Sequence, residues 1–255
     1  MSRTRNSLRN IIYAVIGQCA ALLISFLARM VFVKTLGAEY LGLNGLFTNI
    51  ISVLSVVELG IGPAIIFSLY KPLAENDVLK IKALMNFYKR AYITIGIVIF
   101  ILGFLLLPLL PYIIKDMPDI PHIQLIFLMF VVNAAISYFF SYKRSLIIAD
   151  QKRYIATAYR YGLYVLLNIA QIIILILTNN FILYLGMQIV FTLLENILVS
   201  RRADRLYPYM RTYNREKLDE ETKKTIIRNI KAMLNHKIGG VVVNGTNSFL
   251  ISKFV

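Results

Sequence analysis

The chain has 255 residues, of which 58% are hydrophobic and 16% charged, and it carries a formal net charge of +15. Soluble domains hold about a quarter charged residues, so this composition excludes an ordinary soluble fold. One cysteine, Cys19, excludes an intrachain disulfide, and two separate histidines, His122 and His236, offer no metal-ligand spacing.

A hydrocarbon core about 30 Å thick needs roughly 20 apolar residues per helical span. By that measure the chain is an all-α, polytopic membrane helix bundle with six complete transmembrane helices and a seventh at the C-terminus. In chain order the predicted spans are Ile11–Val33, Leu43–Leu69, Tyr92–Ile114, Ile123–Tyr142, Tyr161–Leu177, Phe181–Ser200 and Ile238–Val255. Arg3, Arg5 and Arg9 precede the first. Its apolar run is too long for a signal peptide and has no small-residue cleavage site, so it reads as an uncleaved span. Cys19 within it is expected to be a buried, inert thiol. Only Thr178, Asn179 and Asn180 separate the fifth and sixth spans, which predicts a tight helical hairpin.

Charge orders these spans. Of 28 lysines and arginines, 24 fall in residues 1–10, 71–90, 143–160 and 201–237, which are alternate gaps between the apolar runs. Cationic loops stay on the cytoplasmic side, so the N-terminus is placed inside. That explanation leaves no need for nucleic acid, and anionic phospholipid headgroups are the expected partners of these segments. The domains follow: a first bundle over residues 1–200, a basic cytoplasmic loop over 201–237, and the first helix of a second bundle over 238–255. Within the loop, Ile226, Ile227, Ile230, Met233 and Leu234 recur at helical spacing among lysines and arginines. This predicts an amphipathic helix in the inner interface. Ser25-Phe26-Leu27 and Ser248-Phe249-Leu250 lie at corresponding places in spans one and seven, a short internal match of the kind duplicated transporters show. It leads us to expect a chain that stops where a second bundle begins.

Charges inside spans cost free energy and ask for a reason. Arg29, near the outer end of span one, either snorkels to headgroups or faces a cavity holding an anionic substrate. Glu58 sits in Glu58-Leu59-Gly60-Ile61-Gly62-Pro63, where Pro63 removes a helix hydrogen bond and the glycines loosen the turn. A carboxylate beside such a break is a candidate proton or cation site, or the partner of a basic residue. At about 1.5 Å rise per residue, Arg29 lies too far in depth from Glu58 to pair with it. Glu195 is expected to pair with Arg201 or Arg202. The amides Gln18, Asn49, Asn133, Asn168, Gln171 and Gln188 either knit helices together or line a cavity and bond sugar hydroxyls. No nucleophile–base constellation, phosphate-cradling glycine loop or metal spacing appears. A catalytic role therefore has no sequence support, and no cofactor is expected.

The run from Ser25 through Arg29 to Leu43, with Lys34-Thr35-Leu36-Gly37-Ala38-Glu39-Tyr40-Leu41-Gly42 at its centre, resembles the first-span signature of the polysaccharide biosynthesis (Wzx-type) flippases of the MOP exporter superfamily. Leu46-Phe47 with Glu58-Leu59-Gly60-Ile61-Gly62 resembles that family's second span, and Asn244 to Ser252 its seventh. The resemblance implies a transporter moving undecaprenyl-diphosphate-linked sugar repeat units from the inner to the outer leaflet of a bacterial cytoplasmic membrane, alongside polysaccharide assembly proteins. It implies a substrate-binding role for Arg29, Asn49 and Asn133, and a gating or coupling role for Glu58, Gly60, Gly62 and Pro63. A membrane polymerase or glycosyltransferase, a drug/cation antiporter of the same superfamily, and a nonfunctional truncated product are the alternatives.

Overall fold

The structure, a computed structural model, describes residues 3–58, 61–114, 120–212 and 216–232. The described residues are mostly helical, with no strand among them. Helix α1 (Arg3–Leu36) is followed by α2 (Ala38–Leu54), a 3-10 turn (Ser55–Glu58) and α3 (Ile61–Glu75). Next come α4 (Val78–Leu106), a 3-10 turn (Leu107–Leu109), the short α5 (Leu110–Ile113), α6 (Ile123–Phe139) and α7 (Tyr142–Ala149). The bundle closes with α8 (Arg153–Thr178) and α9 (Phe181–Leu206), and residues 220–232 form a last helix, α10.

Local chemistry sets the boundaries. Gly37, at φ 91°, ends α1 in a conformation that a side chain would strain. The Asp77 carboxylate accepts the Lys80 N–H at 3.0 Å and so caps α4. The predicted α8–α9 hairpin forms as its residues dictate. Asn179 takes the left-handed conformation at φ 47°, and the Asn180 Oδ1 accepts the N–H groups of Ile182 and Leu183 at 2.9 and 3.1 Å.

Among the described residues four helices are long and apolar enough to cross a membrane: α1, α4 with its continuation to Tyr112, α8 and α9. The pair α6–α7, bent by 48° at Phe140 and Ser141, adds a fifth if it counts as one span. The second predicted span, Leu43–Leu69, is not one continuous helix but α2 and α3 divided by the Ser55–Glu58 turn. The basic segments are also more helical than the apolar pattern implies. Lys80, Lys82, Lys89 and Arg90 ride on α4, whose helix begins at Val78, 14 residues before the predicted span at Tyr92. The seventh span Ile238–Val255, Met233, Leu234 and His236 lie outside the described residues.

Side-chain contacts gather the basic segments at one end. Three contacts tie that end together. Asn10 Oδ1 accepts the Tyr154 N–H at 2.6 Å, Lys82 Nζ donates to Thr212 at 2.7 Å, and Lys143 pairs with Asp204 at 2.7 Å. A core built on Leu69, Leu84, Tyr88, Leu146 and Val199 fills this end, and Ile226 of α10 is buried in it. The helix thus docks Ile226 in the bundle, with Ile230 packed against the same core and Ile227 exposed. A second core at the opposite end stacks Phe32, Phe47, Phe127 and Phe181 edge to face.

Helix α6 packs tightly on α4, at Gly96 and Gly103. A Cβ at Gly96 would stand 2.7 Å from the Phe139 ring and 3.0 Å from the Ala135 carbonyl. Overpacking of this kind costs about 1–3 kcal/mol. Gly96→Leu should accordingly lower the Tm of the purified protein in detergent, and an unchanged Tm would refute this close approach. Cys19, expected to be buried, is instead exposed on α1.

Candidate functional site: a carboxylate where two broken helices meet

The break in the second span lies one turn earlier than Pro63. The α-helix gives way to a 3-10 turn at Ser55, and α3 restarts at Ile61. Pro63 is the third residue of the new helix, where a missing N–H leaves no intrahelical bond unmade. Pro63 thus lies in the first described turn of α3. Glu58 ends the 3-10 turn, half-buried, at the break itself.

A second break faces the first. At the end of α6 the Phe140 and Ser141 N–H groups turn to the Tyr138 carbonyl, which frees the Ile136 and Ser137 carbonyls from their helical partners. Asn196 of α9 fills that gap. Its Nδ2 donates to both carbonyls, at 3.3 and 3.4 Å, and Ser141 Oγ donates to Ser137 as well. A buried polar side chain thus sustains a bend that lipid alone would penalise.

The two breaks are joined directly. Tyr138 Oη, at the end of α6, donates to Glu58 Oε2 at 2.9 Å. Gly62 lies beside the same carboxylate. A Cβ there would stand 3.2 Å from Tyr92 Oη and 3.7 Å from Glu58 Oε1, so α3 passes close to this pair. Below them Arg144 of α7 is ion-paired with Glu195 of α9. These groups, with Arg160, bound a cavity of about 490 Å³. Its charges are two carboxylates and two guanidiniums, and one of each is consumed in the Arg144–Glu195 pair. Glu58 Oε1 is the carboxylate oxygen left to meet a proton or small cation. Among the described residues no group of three histidine, cysteine or acidic side chains is placed to hold a metal.

The predicted residues divide in two. Glu58, Gly62 and Pro63 line this cavity, whereas Gly60 lies outside the described residues. Arg29 on α1 and Asn49 on α2 are exposed and line neither it nor the other cavities described here. Asn133, in the middle of α6, is half-buried and its Oδ1 has no hydrogen-bond partner. Of the other amides, Gln18 accepts the Tyr161 hydroxyl at 2.6 Å, while Asn168 and Gln171 donate to the Tyr164 and Tyr184 carbonyls at 2.8 and 3.1 Å. Gln18 and Gln171 thereby knit neighbouring helices together, whereas the Asn168 bond stays within α8.

Sequence reasoning missed Tyr138, Arg144 and Asn196. Arg144 counts among the orienting cations by position, yet it turns inward, and Glu195 pairs with it rather than with Arg201 or Arg202. The one available signal was the acidic Glu195 a turn inside an apolar span, which required a cation from another helix.

Beyond the cavity the basic end is clamped. Asp150 accepts the Tyr207 hydroxyl at 2.7 Å and pairs with Lys152 at 2.6 Å. Burial and the adjacent Asp150 carboxylate push the Tyr207 hydroxyl above its ordinary value, so it stays protonated and donating.

No family model matches the chain, and no curated protein matches it. Its fold does have a solved counterpart, the outward-facing conformation of a multidrug resistance MATE family transporter of the MOP superfamily. The two superpose with a TM-score of 0.66 at 17% identity, over 96% of this chain. The chain has the fold of that transporter's bundle. It spans about half of that transporter's length, 56%.

Proposed function

We propose that the protein is a membrane transporter of the MOP type that flips undecaprenyl-diphosphate-linked oligosaccharides across the bacterial cytoplasmic membrane for surface polysaccharide assembly. The observation that carries the transporter reading is the pair of broken spans joined at Glu58 and Tyr138 above a polar cavity. Discontinuous helices place ion and substrate sites inside membranes, where irregular backbone is tolerated only around a cavity. The shared fold with a transporter supports the same reading. In it, α2–α3 and α6–α7 each cross once, giving six spans over residues 1–200, with the N-terminus and the basic end inside.

The cargo rests on sequence resemblance and on Arg29. An exposed arginine on an apolar helix is costly against lipid, so it faces a polar path through the transporter. A lipid diphosphate supplies the anion for that path, with the exposed Asn49 and the unpaired Asn133 oxygen available to sugar hydroxyls. Arg29→Ala is expected to abolish surface polysaccharide in cells that depend on this transporter, at normal expression. Polysaccharide at wild-type level in that variant would remove the substrate role.

One observation favours a second reading. The cavity carries an available carboxylate, and the structural counterpart is a multidrug transporter. A drug/cation antiporter would use Glu58 for the cation and leave Arg29 dispensable, so the same variant separates the two.

A further inference from the structure

We propose that the basic end of the bundle holds a binding site for an anionic phospholipid with a hydroxylated headgroup, of the phosphatidylglycerol class, between the start of α1 and the end of α3. The site rests on the reading that this end meets inner-leaflet headgroups, and it is separate from the transported cargo.

Two cavities, of about 710 and 870 Å³, share Tyr70 and Gln151 as walls. The first is a polar chamber bounded by Asn6, Lys71, Asp150 and Lys152. The second extends along Pro63, Ile66 and Phe67 of α3 and so turns apolar. A charged chamber opening onto an apolar groove fits a molecule with one polar and one greasy end.

Asn6 specifies the head. The residue lines the chamber and is only 8% exposed, and its Oδ1 is buried without a hydrogen-bond partner. A buried acceptor left unmade is unfavourable and calls for a donor. An ionised phosphodiester has none, whereas a glycerol hydroxyl does. The cations specify the phosphate. Lys71 is held only by a loose, exposed contact to Glu75 at 3.8 Å, and Arg153 lies exposed at the second cavity. Lys152 is already committed to Asp150 at 2.6 Å and to the Tyr207 ring at 5.5 Å, which makes it part of the wall. Three cations against one carboxylate leave the walls net positive, and this favours an anionic headgroup over a zwitterionic one. Phe67 and Tyr70 are 64% and 48% exposed beside the groove, surfaces that acyl chains and the headgroup boundary would cover. The wall is fixed, because Asn10 of α1 clasps Gln151 and Tyr154 through both ends of its amide.

The test is native mass spectrometry of the purified protein in detergent, titrated separately with phosphatidylglycerol, phosphatidylethanolamine and phosphatidylethanol. Phosphatidylglycerol should be retained about tenfold better than phosphatidylethanolamine, and the exposed double variant Lys71→Gln/Arg153→Gln should lose about tenfold of that retention. Asn6→Leu should erase the preference over phosphatidylethanol, which is anionic but has no hydroxyl. Equal retention of the first two lipids, or unchanged retention in the double variant, would overturn the site. Displacement of phosphatidylglycerol by undecaprenyl diphosphate would overturn it too, by assigning the groove to cargo. Because binding is read without transport, a protein that fails to flip lipid can still satisfy or refute it.

Discussion

On the proposed function, Glu58→Gln should leave a folded protein whose lipid flux no longer responds to an ion gradient. Glutamine matches the carboxylate in size and still offers an oxygen to Tyr138 Oη, now 2.9 Å from Glu58 Oε2. It cannot take up or release a proton, and it binds cations poorly. Coupling between two sites is typically worth about 5- to 150-fold, so gradient-driven flux should fall within that range while flux without a gradient persists. Transport measured in vesicles with and without an imposed proton or sodium gradient reads this directly. A Glu58→Gln protein that retains its ion dependence would take the coupling role away from Glu58. Tyr138→Phe provides the complement. It keeps the ring and removes the donor, so the two breaks part more readily and coupling should weaken with the carboxylate intact.

The second large effect is on stability. Arg144 and Glu195 are ion-paired with side chains 26% and 22% exposed, so removing one partner strands a partly buried charge. Breaking a buried pair costs about 3–5 kcal/mol, and the residual exposure lowers this to about 2–3 kcal/mol here. Arg144→Met should lower the Tm in detergent accordingly. Arg144→Met/Glu195→Met, which removes both charges and keeps bulk, should recover most of the loss. If the double variant is no more stable than the single one, the pair is not what holds α7 to α9.

How much of this was legible in the sequence depended on range. The α8–α9 hairpin was, because Thr178, Asn179 and Asn180 supply a left-handed residue and a cap within three positions. The break near Glu58 was also visible, since proline and glycine act on their own turn. Tyr138 was not legible as the partner of Glu58. It lies 80 residues away in a span whose apolar pattern marks it only as core. Arg144 was hidden for the opposite reason, since a pattern that explains 24 cations collectively cannot single out one that turns inward. Cys19 shows the same limit. Apolar neighbours predict burial in something, and that something need not be this bundle.

The most direct measurement uses proteoliposomes carrying the purified protein and a fluorescent undecaprenyl-diphosphate oligosaccharide in one leaflet. That lipid should move to the other leaflet faster than in protein-free vesicles, dependent on an ion gradient, with no export of a cationic dye. Dye export without movement of the lipid-linked sugar would contradict it.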